Sequence, residues 1–306
     1  MDIKVPVIVG PTAVGKTALS LHLASKTNCQ IISADSRQIY KYMDIGTAKV
    51  TVAEREKIPH HFIDILEPDV YFSAGKYATA ARSKIESLLH DGIIPVVVGG
   101  SGLYIRALTD GIVEFNAKDE TLRKELLQRI EKYGLVSLYE QLKQVDANYA
   151  AKISGNDQQR ILRALEVFLV TGRNFSDWHT QEPEPAPFNL QFYGLNSPRQ
   201  ILYERINQRV EFMIKSGLVE EVSKIVKMGF DRELNSLNTV GYKEVLAYLN
   251  DEIKYIEMVE LIKRKSRRYA KRQLTWFNSD KRIQWFNVES EQDLAPIANL
   301  IFKNLI

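Results

Sequence analysis

The sequence contains a single cysteine, Cys29, set in an apolar run. A lone thiol excludes a disulfide framework and any zinc site built on several cysteines; it fits a reducing cytoplasm. No stretch reaches the roughly 18 consecutive apolar residues that a membrane-spanning helix needs, so no membrane association is expected. The short apolar run after Met1 flows straight into a glycine-rich loop and lacks the flanks of a secretory signal. Basic groups exceed acidic ones by only 3. The charge of the whole chain therefore gives no argument for nucleic acid, and a local cluster has to supply one. Internal repeats and low-complexity tracts are also missing. What remains is an ordinary globular composition, 45% hydrophobic and 26% charged over 306 residues. That is enough for one large α/β domain, or for a core domain with a smaller insert.

The first third of the chain alternates strand-like and helical patterns. Nearly continuous apolar runs at Val5–Gly10, Gln30–Ala34, Phe62–Leu66 and Ile93–Gly99 read as parallel strands buried on both faces. A helical pattern between the last two runs, residues 73–90, has Ser73 as its N-cap and Gly92 past its end. The pattern changes near Glu114. From Asp119 to about Thr171 it is helical throughout, and Gln181–Pro187 reads as a stiff, exposed linker. Strand signals return at Asn189–Leu195 and Ile283–Val288, with a closing helix from Asp293 to Ile306. The expected fold is α/β, a P-loop NTPase-like three-layer parallel sheet with a helical insertion domain. Residues 1–114 and 189–306 would form the core, and residues 115–188 the insert.

Gly10-Pro11-Thr12-Ala13-Val14-Gly15-Lys16-Thr17 matches G-x-x-x-x-G-K-[ST] between a strand and a helix expected over Lys16–Lys26. Glycines let successive backbone N–H groups turn inward around an anion. The helix N-terminus adds free donors and partial positive charge. Lys16 supplies a point charge to the phosphates, and the Thr17 hydroxyl can hold Mg²⁺. P-loop ATPases also carry an acidic residue at the end of a second strand to hold that metal. Here Ile94-Pro95-Val96-Val97-Val98 runs into Gly99-Gly100-Ser101-Gly102 without an acid. The loop can then grip phosphates without driving ATP hydrolysis, and whether it also takes ATP stays open. The acid that does stand at a strand end is Asp35. Strand ends of a parallel sheet share one crevice, so Asp35 is expected to face the bound phosphates. There a carboxylate can serve as general base, or it can merely cap the turn before Ser36.

A helix is expected over Ile253–Phe277. On it Lys263, Arg264, Arg267, Arg268, Lys271 and Arg272 form two adjacent i, i+4 columns covering about half the circumference. A stripe of one sign repels itself unless an anion lies on it. A nucleic-acid backbone or a substrate diphosphate suits it better than a plain solvated face. Lys263, Arg267 and Lys271 form one column, expected to face solvent and to meet RNA phosphates. His60 and His61 lack a third ligand nearby in sequence and read as loop or core residues rather than a metal pair. Asp157 and Glu166 read as a cap and a partner for arginines.

Taken in order along the chain, these blocks resemble those of the bacterial tRNA dimethylallyltransferase family. The resemblance rests on Gly10–Thr17, Asp35-Ser36-Arg37-Gln38-Ile39-Tyr40, Met43-Asp44-Ile45-Gly46-Thr47-Ala48-Lys49 and Pro59-His60-His61. It extends through Val98–Tyr104, Asn156-Asp157-Gln158-Gln159-Arg160, Arg163–Glu166, Val240-Gly241-Tyr242-Lys243 and Arg267–Phe277, nearly the whole chain. Two departures stand out. Ser101 takes the place of a common threonine and keeps the hydroxyl, and one cysteine rules out the C-terminal zinc finger of eukaryotic relatives.

The resemblance implies transfer of a dimethylallyl group from dimethylallyl diphosphate to N6 of an adenosine beside the anticodon of tRNA. Asp35 would be the base. Lys16, Thr17 with Mg²⁺, Arg209 and the loop N–H groups would hold the diphosphate. Contacts to the anticodon stem-loop would come from Asp35, Ser36, Arg37, Gln38, Ser101, Arg123, Gln159, Arg160, Ile161, Leu162 and Arg163, with the insert as a clamp. The enzyme would be cytoplasmic, with no obligate protein partner. A small-molecule kinase, an adenylate prenyltransferase and a non-catalytic RNA-binding protein are the competing readings. The kinase would consume ATP without RNA, the second has less use for the insert and the basic helix, and the third has none for Lys16 and Thr17.

Overall fold

The computed structural model describes residues 4–113, 119–178, 180 and 182–305. The chain forms two compact units, residues 1–109 with 186–306 and residues 110–185. The expected turning point at Glu114, the linker's first residue Gln181 and the terminal Ile306 lie outside the described residues.

The larger unit is built on β1 (Lys4–Val9), β2 (Cys29–Ala34), β3 (His60–His61), β4 (Ile94–Gly99), β5 (Asn189–Asn196) and β6 (Gln284–Asn287). They form a parallel sheet in the order β3-β2-β4-β1-β5-β6. Side chains alternate across the sheet. Val5, Val7 and Val9 of β1 face a core completed by α3 (Ala74–His90) and α4 (Gly102–Asp110). Ile8 faces the opposite core, with α1 (Lys16–Ala24) and α13 (Leu294–Leu305). A short helix, α2 (Val52–Lys57), precedes β3.

A third apolar cluster joins α9 (Arg199–Lys215), α10 (Leu218–Lys227), α11 (Tyr242–Leu249) and α12 (Tyr255–Asn278) to Ile39, Tyr40 and Met43, the segment just after β2. As the sequence pattern indicates, Ser73 caps α3, its hydroxyl accepting from the Lys76 N–H at 3.0 Å.

The third strand differs from the expectation at Phe62–Leu66. Pairing with β2 is confined to Ile31↔His60 and Ile32↔His61. Phe62 and Asp64 then take left-handed backbone angles, φ 65° and 55°, which break an extended run. The apolar residues there serve core packing and one isolated bridge between Tyr40 and Leu66, so hydrophobicity alone overstated the strand.

The smaller unit contains α5 (Glu120–Val145), α6 (Ala147–Ala150), α7 (Gln158–Thr171) and α8 (Phe175–Trp178). Helix α5 is broken at Gly134, where φ is 77°. Leu126, Leu138, Leu142, Ile161, Leu162 and Leu165 form a core of its own. Asp157 caps α7 by accepting from the Arg160 N–H at 3.2 Å. The nearly buried Glu166 carboxylate is paired with Arg123 at 2.6 Å and Arg163 at 3.6 Å.

Candidate active site

Parallel register brings three strand ends to one edge of the sheet. Val9 is aligned with Gly99 and with Gly194, and Ala34 is aligned with Gly99. The residues that follow, Gly10 after β1, Asp35 after β2 and Gly100 after β4, therefore emerge side by side. This is the crevice at the carboxyl ends of the strands where open α/β sheets bind ligands.

The phosphate loop starts at Gly10, whose φ is 143°. A Cβ there would lie 2.5 Å from the Leu195 carbonyl oxygen, so only glycine fits. Lys16 folds back over the loop and donates to the carbonyls of Gly10 at 3.0 Å and Pro11 at 2.8 Å. Burial pulls its ammonium down to about 7, Arg209 pushes in the same direction, and Asp35 opposes them. Arg209 projects from α9 and donates to the Thr12 hydroxyl at 3.3 Å. Burial also lowers its guanidinium, again against the pull of Asp35. Lys16, Arg209 and Asp35 thus sense one another in one site. The Thr17 side chain is exposed at the start of α1.

The Asp35 Oδ1 atom accepts the backbone N–H of Arg37 at 2.8 Å and of Gln38 at 3.3 Å. This is the capping geometry of an Asx turn. Oδ2 has no hydrogen-bond partner among the described residues. Capping and catalysis are therefore compatible, since one oxygen holds the turn and the other stays available. Gln38 is tied down by the carbonyls of Thr47 and Ala48, both at 3.2 Å. The Arg37 guanidinium donates to the carbonyls of Asn235 at 2.6 Å and Ser236 at 3.5 Å. The Ser101 hydroxyl accepts the Ser36 N–H at 3.0 Å and donates to the Ser36 hydroxyl at 3.3 Å. Burial pushes the neighbouring Tyr269 hydroxyl up to about 12, with Ser101 pulling the other way.

Helix α12 backs this arrangement chiefly through Gln273, to which sequence reasoning assigned no role. Gln273 is buried; its Oε1 accepts from the Thr12 N–H and its Nε2 donates to the Gly100 carbonyl, each at 2.9 Å. The Trp276 indole lies against Gly102 and is 40% exposed, whereas Phe277 is in the core. Gln273 shares its helix face with the buried Ala270 and Phe277. A polar residue on an apolar stripe was the signal that could have found it.

The basic columns of α12 separate. Arg264, Arg268 and Arg272 are exposed, as is Lys271. Lys263 and Arg267 are not solvent-facing as expected. Lys263 is paired with Glu211 at 2.9 Å and Glu260 at 3.3 Å, its side chain only 15% exposed. Arg267 donates to the Asn207 side chain at 2.6 Å and lies 5.9 Å from the Tyr203 ring centre. Helix α9 packs alongside and supplies Glu211 and Asn207 as partners. Arg205 donates to the carbonyls of Val288 and Glu289 at 3.2 and 2.8 Å rather than pairing with an acid.

In the smaller unit Gln159 and Arg160 are exposed on α7. Ile161 and Leu162 require a correction, because both side chains are buried in that unit's core and cannot meet RNA. They hold the helix that displays their neighbours.

Among the described residues no group of three or more His, Cys, Asp and Glu side chains could hold a metal. His61 is bonded to the Gln30 side chain and His60 to the Ile58 carbonyl, both at 2.7 Å. Burial keeps both imidazoles below their usual range, His61 at about 4. Burial also pushes the Cys29 thiol up to about 11, so it carries no thiolate. No helix among the described residues is long and apolar enough to cross a membrane.

A phosphate loop facing a strand-end aspartate, with no metal-binding acid after β4, sets this site apart from a P-loop ATPase. The sequence profile of the IPP transferase family matches residues 38–280. The chain belongs to the IPP transferase family.

A tRNA dimethylallyltransferase of Carboxydothermus hydrogenoformans is 46% identical over 294 residues, covering 95% of this chain and 94% of the relative. Another, from Caldanaerobacter subterraneus subsp. tengcongensis, is 44% identical over 313 residues, covering 100% and 98%. Among solved structures, the tRNA isopentenylpyrophosphate transferase of Bacillus halodurans is similar with a TM-score of 0.72 at 39% identity, covering 100% of this chain and 97% of that one. A eukaryotic dimethylallyltransferase acting on tRNA reaches a TM-score of 0.80 at 29% identity, covering 99% and 80%. As an IPP transferase, the protein carries the family's α/β P-loop fold.

Proposed function

We propose that this IPP transferase moves the dimethylallyl group of dimethylallyl diphosphate onto N6 of the adenosine beside the anticodon of tRNA, releasing diphosphate. The observation that carries the reading is the facing of the Lys16 loop and Arg209 by Asp35, whose Oδ2 has no partner among the described residues.

An exocyclic adenine amine is a poor nucleophile because its lone pair is delocalised into the ring. Asp35 takes one N6 proton as the C–N bond forms. The bond between the dimethylallyl carbon and the diphosphate oxygen breaks at the same time, and negative charge grows on the leaving group. Lys16, Arg209 and the inward N–H groups of the loop are preorganised for that charge. Mg²⁺ suits the residues present in one mode only. With no acidic cage among the described residues, it would be held by the Thr17 hydroxyl, diphosphate oxygens and water, the usual pattern for this cation. Bound there, it would neutralise part of the leaving-group charge.

A base in a duplex could not reach such a site, whereas a single-stranded anticodon loop can present an unstacked one. Ser36, Arg37, Gln38 and Ser101 line the same edge of the sheet as Asp35 and would contact the loop. Arg123, Gln159, Arg160 and Arg163 would contact the RNA from the insert, acting as a clamp. Lys271 and the exposed Arg264, Arg268 and Arg272 would add backbone contacts, whereas Lys263 and Arg267 are held by α9. The tRNA substrate would place the enzyme in the cytoplasm.

The test is to incubate the protein with dimethylallyl diphosphate, Mg²⁺ and an anticodon stem-loop, then weigh the products. One C5H8 added to the adenosine is the expected result. Transfer to free AMP but not to RNA, or phosphorylation of an acceptor by ATP, would overturn it.

A further inference from the structure

Phosphate loops ordinarily keep their N–H groups free for the anion. In this one the Thr12 N–H is already bonded to the Gln273 side chain, which spans from the loop after β1 to the turn after β4. Both amide atoms are used: Oε1 accepts from Thr12 and Nε2 donates to Gly100. The fit leaves no room for a side chain at Gly100, since a Cβ there would fall 2.2 Å from Nε2. On the same helix, Trp276 lies against Gly102. One face of α12 therefore fixes the Gly100–Gly102 turn, and through Gln273 it also fixes the phosphate loop.

We infer that Gln273 is a positioning residue for the diphosphate. It holds Thr12, and with it the loop N–H groups, in register with the turn that carries Ser101. It touches neither reactant. The proposed reaction enters this inference only in identifying the anion. An aliphatic side chain of the same length would pack in the same space but leave Thr12 N–H and the Gly100 carbonyl unpaired. Arg209, which bonds the Thr12 hydroxyl, would then hold that residue alone, and the loop would lose its register.

The test compares wild type, Gln273→Met and Gly100→Ala. The second variant keeps the glutamine but drives its amide off the turn. Binding of inorganic diphosphate is measured by calorimetry, KM and kcat with dimethylallyl diphosphate by kinetics, and stem-loop binding by titration. Each variant should weaken diphosphate binding and raise KM by roughly tenfold, the scale of one hydrogen bond. Stem-loop affinity should stay within about twofold, and kcat should fall less than KM rises. Unchanged diphosphate binding in Gln273→Met overturns the inference. So does equal loss of diphosphate and RNA binding with a collapsed thermal transition in Gln273→Met while Gly100→Ala behaves normally, because Gln273 would then only stabilise the fold. If wild type binds diphosphate but prenylates nothing, the proposed reaction fails, and the diphosphate comparison still decides the role of Gln273.

Discussion

At the residue scale the site turns on two groups that share one field. Asp35 keeps Oδ1 for its own turn, so Asp35→Asn preserves the shape and the backbone contacts through that oxygen while removing the base. Turnover should drop by ~10²-fold or more with stem-loop binding retained; single-turnover kinetics beside an RNA titration checks this. Lys16 gives a sharper signature. In the free protein its pKa lies at about 7, below its ordinary value, chiefly through burial. A bound diphosphate favours the ammonium and raises that value. Binding near pH 8, where the prenyl diphosphate is already ionised, should therefore take up close to one proton. Near pH 6 Lys16 is already charged, and uptake should fall towards zero. Calorimetry in buffers of different ionisation enthalpy measures the uptake, which Lys16→Met should abolish.

At the element scale, α12 is two helices in one. Its inner face holds the loops of the site, and its outer face displays cations. The two basic columns look equivalent in sequence, yet neighbouring α9 engages one of them through Glu211 and Asn207. The triple change Arg264, Arg268 and Arg272 to Ala should make the log–log salt dependence of tRNA binding shallower, by roughly 0.7 to 0.9 for each phosphate that these arginines neutralise. The melt should hardly move, since all three side chains are exposed. Changing Lys263 and Arg267 to Ala should instead lower the melting temperature, because Arg267 and the poorly exposed Lys263 leave partners behind. Salt titrations and thermal melts of the two variants separate the columns. A reversal of these effects would mean that the paired column opens to meet RNA.

At the scale of the whole molecule, the insert leaves and returns at nearly one point. The Ala186 N–H donates to the Thr109 carbonyl at 2.8 Å, and the insert carries its own core. Replacing residues 110–185 with a short Gly/Ser linker should thus leave the larger unit folded, as insertions between close chain ends commonly allow. Diphosphate binding should stay within about threefold. Prenylation of the stem-loop should fall by ~10²-fold or more if the insert positions the RNA, the order of effect that misplacing a substrate has on rate. Circular dichroism, calorimetry and product mass would read these outcomes.

The sequence by itself determined the phosphate loop, the parallel α/β core, the helical insert and the place of Asp35 just past a strand end. Each depends on short-range chemistry: glycines at fixed offsets, apolar runs of strand length, helical periodicity and an acid one residue past a strand. The caps at Ser73 and Asp157 were legible for the same reason. Tertiary structure alone decided what happens between distant segments. Chain periodicity cannot report that Gln273 reaches Thr12, that Glu211 neutralises Lys263, or that Ile161 and Leu162 point inward beside exposed Gln159 and Arg160. It also could not report that β3 stops at His61, because an apolar run satisfies a core whether or not its backbone stays extended. Partners far apart in sequence are brought together by sheet register and helix packing, and those follow from the whole set of buried surfaces rather than from any one segment.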